Sequence, residues 1–253
     1  MTKLLLIDAL NLIRRIHATL PSDDNEALLN RCQQALRKAQ LAHQPSHAIL
    51  VWDGEPQQSW RRQLYPEYKA HRKPMPAHLA AQLGNIAELF AQHGVYSIKQ
   101  AQFEADDLIA TLATKTAQHG GQALILSTDR GFCQLHSNAI TQWDHFQNAA
   151  INAQQVAQKL AINTDQLLDY WALAGDTNNG IPGVPGIGAK SAAELLSRYS
   201  HLNQLFAELP QTKQGMRLAE HKALARLSYQ LVKLKCNLEL NLNLNQFRIQ
   251  EKR

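Results

Sequence analysis

Short apolar runs recur through the first half of this chain, and polar punctuation follows each of them. Leu4–Ile7, Ala48–Trp52 and Ala123–Leu126 read as buried strands, and Val95–Lys99 is a further candidate. Between them the spacing changes to that of helices: Glu26–Ala42, Leu79–His93 with Gly94 as its stop, and Ala105–Gln118 running into Gly120-Gly121. Strands alternating with helices predict an α/β fold with a parallel sheet covered on both faces. Past the less patterned stretch Ile151–Thr164 the pattern turns helical, with Asp165–Ala174 stopped at Gly175, a helix from Ala189 through Leu196, and further helices over His201–Leu209 and Ala219–Lys235. We therefore place a catalytic core over residues 1–160 and a smaller helical region over 161–253.

Acidic residues stand where that sheet would bind a ligand. Asp8, Asp53 and Asp129 each lie just past an apolar run, and ligands of parallel sheets sit beyond the carboxyl ends of the strands. Each aspartate alone is an ordinary turn residue. Glu104-Ala-Asp106-Asp107 adds three more carboxylates in the first turn of an otherwise apolar helix. Acidic groups suit the positive end of a helix, but so many carboxylates at one sheet edge repel one another unless cations sit between them. Hard oxygen donors select Mg²⁺ or Mn²⁺. The pattern predicts a metal-dependent phosphodiesterase acting on nucleic acid.

Two further segments bear on the substrate. Residues 57–77 are poor in aliphatics and hold Arg61, Arg62, Lys69, His71, Arg72 and Lys73, with Trp60, Tyr65 and Tyr68 between them. A basic run with prolines is usually a solvated loop. Its place after the Asp53 strand instead predicts an arch offering charge to phosphates and flat faces to bases. The second segment is Ile181-Pro-Gly-Val-Pro-Gly-Ile-Gly188, leading into Ala189, Lys190 and Ser191 at a helix start. Glycines let backbone N–H groups approach a ligand, and the helix start and Lys190 make an anion site. The helix ending at Gly175 leaves the carbonyls of Leu173 and Ala174 without helical partners. If the hairpin folds back on that end, the carbonyls of Pro182, Val184 and Ile187 complete a neutral cage suited to K⁺.

Charge supports nucleic acid only modestly, with 26 basic against 21 acidic side chains. Cys32, Cys133 and Cys236 are few, odd in number and far apart, which argues against a disulfide framework or a zinc site. No apolar run spans a bilayer and the first residues do not form a signal peptide. A cytoplasmic location is expected, and nothing requires more than a monomer.

Taken in succession, "YPEYKAHRKPMP", "EADDLIATLA", "STDRGFCQL", "LAGDTNNGIPGVPGIGAKSAAELL" and "LSYQLVKLKCNLEL" resemble the 5′-nuclease (flap endonuclease) family over nearly the whole chain. The resemblance implies a PIN-like nuclease core followed by a helix-three-turn-helix region, and cleavage of branched or 5′-flap DNA in replication and repair. It implies a first Mg²⁺ site of Asp8, Asp53, Glu104, Asp106 and Asp107 with Asp129 at its edge, Asp106 being in direct contact. Tyr68, Lys69 and Arg72 match the arch-base positions that steer the scissile phosphate. The K⁺ carbonyls match those named above, and Gly186, Ile187, Gly188, Ala189, Lys190 and Ser191 would grip duplex phosphates. Two positions depart from the family: Gly131 and Asn179 stand where aspartates are usual, leaving Asp176 as the acidic residue of the hairpin loop. The second Mg²⁺ is therefore expected to be weakly held. Two rival readings remain, a non-cleaving binder of branched DNA and a PIN-type ribonuclease.

Overall fold

The computed structural model describes residues 2–21 and 24–250. Packing divides the chain into two compact units. One holds the chain up to Trp60, Lys73–Ile151 and the tail from Lys235; the other holds Arg61–Arg72 and Asn152–Leu234. Residues Arg61–Arg72 of the basic segment thus pack in the second unit and the tail in the first.

The elements run β1 (Lys3–Asp8), α1 (Ala9–His17), α2 (Asn25–His43), β2 (His47–Trp52), α3 (Trp60–Leu64), α4 (Ala77–Gln92) and β3 (Tyr96–Lys99). They continue with α5 (Ala105–Gln118), β4 (Gln122–Leu126), β5 (Ile140–Asp144) and β6 (Ala149–Ile151). In the first unit the strands form one six-stranded sheet, ordered β3-β2-β1-β4-β5-β6. Strands β1 to β5 pair in parallel and β6 is antiparallel to β5. The chain thus winds outward from β1 in one direction, then returns and winds outward from β4 in the other. That reversal places a crevice at the carboxyl ends of β1 and β4, the switch point where such sheets take ligands.

The apolar runs are unbroken because both faces of the sheet are covered. Leu5, Ile7, Ala48, Leu50 and Leu126 pack with Leu12, Ile13 and Ile16 of α1, Leu28, Cys32 and Leu36 of α2, and Leu79, Ile86 and Phe90 of α4. The alternate residues Leu4, Leu6, Ile49 and Val51 turn to the opposite face and are equally inaccessible. Helix α5 lies against β1, β2 and β4, with Leu108, Ile109 and Ala113 fully buried. Helix α2 starts where Asp24 accepts a hydrogen bond from the Ala27 N–H at 2.8 Å, and it ends at Gln44 in the left-handed region.

The second unit is helical: α6 (Ala153–Lys159), α7 (Leu167–Ala174), α8 (Ala189–Leu196), α9 (Leu202–Ala207), α10 (Lys213–Glu220) and α11 (Lys222–Val232). Its core gathers Tyr170, Leu173, Val184, Ile187, Leu195, Leu196, Leu205 and Leu218. Buried Gln166 satisfies the end of α8 by donating from Nε2 to the carbonyls of Leu196, Tyr199 and Ser200. The helix expected over Ala219–Lys235 is α11, Lys222–Val232, and a separate helix, α10, precedes it over Lys213–Glu220 and ends at His221. Neither proline nor glycine marks that boundary in the sequence.

Candidate functional site

Asp8 closes β1 and starts α1. Its Oδ1 accepts from the Asn11 N–H at 3.2 Å and its Oδ2 from the Ser127 hydroxyl at 2.8 Å. It is 6% exposed. Burial, followed by repulsion from Asp53 and, more weakly, Asp129, pushes its carboxyl up to about 7 against the lowering effect of those hydrogen bonds. Three strand-end aspartates predicted from the sequence therefore share one electrostatic neighbourhood at the switch point.

Asp53 follows β2 and is tied to the start of α5, its Oδ1 accepting from the Ala105 N–H at 2.8 Å. This bond brings the Glu104–Asp106 turn to Asp53, where the carboxylate also meets the positive helix end. Gly54 makes the approach possible: a Cβ there would fall 2.2 Å from the Gln100 carbonyl oxygen and 2.5 Å from that of Ala101. Glu104 is buried at the helix start and Asp106 is half-buried in its first turn. Asp129 caps the 3₁₀ turn Arg130–Leu135, its Oδ1 accepting from the Gly131 N–H at 2.7 Å.

Asp107, expected among the ligands, is engaged by protein donors. It is fully buried, and its oxygens accept from the Trp60 indole at 2.7 Å and the Lys235 N–H at 2.9 Å. It lies one residue around the helix from Asp106. Thr111 continues this seam by donating to the Lys235 carbonyl at 3.0 Å.

Sequence reasoning missed the residues that aim this cluster. Asn11 accepts from the Thr128 N–H at 3.0 Å, and buried Gln142 donates to the carbonyls of Ser127 and Asp129, both at 2.8 Å. A glutamine inside a strand is a signal only once it is known to be buried. Among the described residues, no three or more His, Cys, Asp or Glu side chains are grouped closely enough to hold a metal ion. Carboxylates alone are the donor chemistry of a hard cation that keeps most of its water, and burial, with a smaller contribution from Asp53, raises Asp8 in the direction a nearby cation would reverse.

In the second unit the basic segment is more ordered than a solvated arch. Arg61 is 1% exposed and donates from Nε to the Leu231 carbonyl at 2.9 Å. Tyr68, expected beside the substrate, is 3% exposed and packs with Ile181 and Leu231, so its ring lies in the core of this unit. Lys69 adopts φ 54°, with its N–H donating to the Asn179 carbonyl at 2.9 Å. Arg72 donates from Nη2 to Asn179 Oδ1 at 2.7 Å. Asp176 is held within its own loop, accepting from the Asn178 N–H at 2.9 Å and from Asn179 Nδ2 at 2.6 Å.

The hairpin does fold back on the end of α7. Asp176 and Ile181 form a bridge, and the Val184 N–H donates to the Leu173 carbonyl at 2.8 Å. Gly183, at φ 65°, passes so close that a Cβ would lie 2.7 Å from the Leu173 oxygen. The carbonyl-bearing segments 173–174 and 182–187 are thereby brought together. Ile187 is buried in the core while Gly186, Gly188, Ala189 and Lys190 are exposed. The cap of α8 at Gly188 makes no side-chain hydrogen bond, and Arg217 braces the turn by donating to the Gly186 carbonyl at 3.2 Å.

Comparison with known proteins agrees with this arrangement. Residues 3–161 match the N-terminal resolvase-like domain of 5′-3′ exonucleases, and residues 162–253 match their C-terminal SAM fold. The sequence is 52% identical to the flap endonuclease Xni of Shewanella oneidensis, over 98% of this chain and 96% of that protein. Identity to the Xni of Shewanella frigidimarina is 48%, covering 98% of each. The fold resembles a T5 5′-exonuclease solved with zinc ions, with a TM-score of 0.78 at 20% identity over 92% of this chain and 90% of that one. It also resembles the Rad2 catalytic core solved with DNA, at 0.58 and 12%, over 96% and 80%. By sequence over its full length, this chain belongs to the 5′-3′ exonuclease family.

Proposed function

We propose that this chain is a structure-specific flap endonuclease, hydrolysing a phosphodiester of 5′-flap DNA near the junction of single strand and duplex with divalent cations as cofactors. The observation that carries this reading is Asp8, buried at the switch point and loaded by the charges of Asp53 and Asp129. Relatives about half identical along the chain and named flap endonucleases supply the substrate class. Asp8, Asp53, Glu104 and Asp106 would hold the first Mg²⁺, with Asp129 at its edge and Mn²⁺ able to substitute. A second ion would rely largely on water and substrate, because Gly131 offers no carboxylate and Asp176 is engaged in its own loop.

Bound divalent cations supply charge neutralisation at the phosphate and acidify attacking water. The chain's own groups do the positioning. Lys69 and Arg72 offer positive charge to phosphate oxygens, and buried Tyr68 fixes the backbone that bears Lys69. Asp107 acts as a positioning residue, holding α5 to Trp60 and Lys235. The exposed backbone at Gly186, Gly188 and Ala189 and the Lys190 side chain, with Ile187 and Ser191 holding the turn, grip duplex phosphates, which orients DNA without reading its sequence. The carbonyls of Leu173, Ala174, Pro182, Val184 and Ile187 form the candidate K⁺ site. We read the active species as a monomer. Among the described residues no helix is long and apolar enough to cross a membrane.

The test is cleavage of 5′-flap DNA across a wide Mg²⁺ range, comparing the wild type with Asp106→Ala and with a sequence-matched RNA flap. We expect cutting at the junction, a loss of at least about 100-fold in the variant, and retained DNA binding. Binding without cleavage at every Mg²⁺ concentration would convert the reading to a passive branched-DNA binder. Preference for the RNA flap would convert it to a ribonuclease.

A further inference from the structure

His17, at the end of α1, and His78, in the first turn of α4, lie with their Nε2 atoms 2.8 Å apart and their ring centroids 5.0 Å apart. Both belong to the first unit and both are half-buried. They come from segments 61 residues apart, so the juxtaposition is made by the fold and not by local sequence. Neither belongs to the carboxylate cluster, and hydrolysis has no use for them. An imidazole pair hydrogen-bonded through Nε2 needs one ring as donor and the other as acceptor. Moving the donor ring's proton to Nδ1 frees both ε-nitrogens for a shared acceptor of lone pairs.

We propose that His17 and His78 form a two-imidazole site for a borderline divalent cation (Zn²⁺, Ni²⁺ or Cu²⁺) separate from the Mg²⁺ centre. Tetrahedral coordination at Zn–N bonds of about 2.0–2.1 Å sets nitrogens about 3.3 Å apart. The observed 2.8 Å reaches that by a small rotation of either ring. Imidazole selects these metals over Mg²⁺, which takes oxygen ligands. Partial exposure of both rings leaves the remaining positions to water. A bound ion would cross-link the end of α1, whose cap is Asp8, to the start of α4, and so tie the candidate catalytic edge to the helix that follows the basic segment.

The probe is Cu²⁺, added at one equivalent to protein held in saturating Mg²⁺. The expected electron paramagnetic resonance spectrum carries superhyperfine splitting from two nitrogens. His17→Asn and His78→Asn should each abolish the two-nitrogen pattern and weaken Cu²⁺ binding at least about tenfold, whereas Asp8→Asn should retain both. In the wild type, substoichiometric Cu²⁺ should broaden the ring proton signals of His17 and His78 before those of the other histidines. This arm needs no variant and so stands even if a substitution unfolds the chain. Broadening that starts elsewhere would overturn the proposal. So would a Cu²⁺ signal that the histidine variants keep and Asp8→Asn removes.

Discussion

Replacing Asp8 by asparagine should stabilise the metal-free protein while abolishing its activity. The carboxyl is 6% exposed and sits at about 7 instead of 3.8. Because the folded value is raised, the folded chain holds a proton that the unfolded chain releases between those two values. Stability of the wild type therefore falls as pH rises through that window and stays low above it. About three pH units at ~1.4 kcal/mol each set a ceiling of about 4 kcal/mol at pH 8. The hydrogen bonds to Ser127 and Asn11, kept only in part by an amide, reduce the expected gain to about 2–4 kcal/mol. For a chain of this size that corresponds to a melting point roughly 5–10 °C higher. Circular dichroism melts in EDTA should show the full gap at pH 8 and about half of it at pH 5.5. Saturating Mg²⁺ should then lift the wild type much more than Asp8→Asn, narrowing or reversing the gap. A variant that melts below the wild type at pH 8 in EDTA, or a gap that ignores pH, would refute the electrostatic account of this site.

Further outcomes separate holding from positioning. Asp107→Ala strands the Trp60 indole and the Lys235 N–H, so urea unfolding should show a loss of about 3–5 kcal/mol, while the Mg²⁺ dependence of any folded fraction stays that of the wild type. Gly54→Ala forces a Cβ into three carbonyl oxygens; we expect about 2–3 kcal/mol of destabilisation and a lower rate, because Asp53 moves with it. Tyr68→Phe should cleave flap DNA at close to the wild-type rate, since the ring is packed among Ile181 and Leu231; a loss like that of Asp106→Ala would return Tyr68 to the chemistry. Exchanging K⁺ for tetramethylammonium at constant ionic strength should weaken DNA binding without shifting the melting point, and equal affinity would count against the carbonyl site.

The sheet and its acidic edge were legible because their signal is local. Leu4–Ile7 and Ala48–Trp52 are uninterrupted apolar runs, and a strand buried on both faces must look that way. Asp8, Asp53 and Asp129 could be placed at strand ends for the same reason. What the pattern hid came from contacts between distant segments. Gln142 takes an inward position of the half-buried strand β5, where it is 1% exposed and bonded to two carbonyls, so its polarity concealed the strand. Tyr68 and Arg61 looked like a surface strip because their partners Ile181 and Leu231 lie more than 100 residues away. Asp106 and Asp107 are adjacent and chemically identical. Only the rotation of α5 gives Asp107 to Trp60 and Lys235.

The two missing aspartates have different physical meanings. At Gly131 a Cβ would come within 3.1 Å of Asp129 Oδ1, the oxygen already committed to the Gly131 N–H. A carboxylate there would crowd a like charge and add a ligand only in the presence of a cation. Asn179 is not an empty substitute in the same sense. Its amide donates to Asp176 Oδ2 at 2.6 Å while its carbonyl oxygen accepts from Arg72 at 2.7 Å, and its backbone oxygen accepts from the Lys69 N–H. An aspartate can only accept, so it would lose the donation to Asp176 and set two carboxylates against each other. Asparagine is the residue type that joins a carboxylate to a guanidinium through one side chain. The Lys69 bond is to the backbone of residue 179 and an aspartate could also accept from Arg72, so what asparagine adds at this position is the donation to Asp176, which ties the two ends of the loop together without a second negative charge.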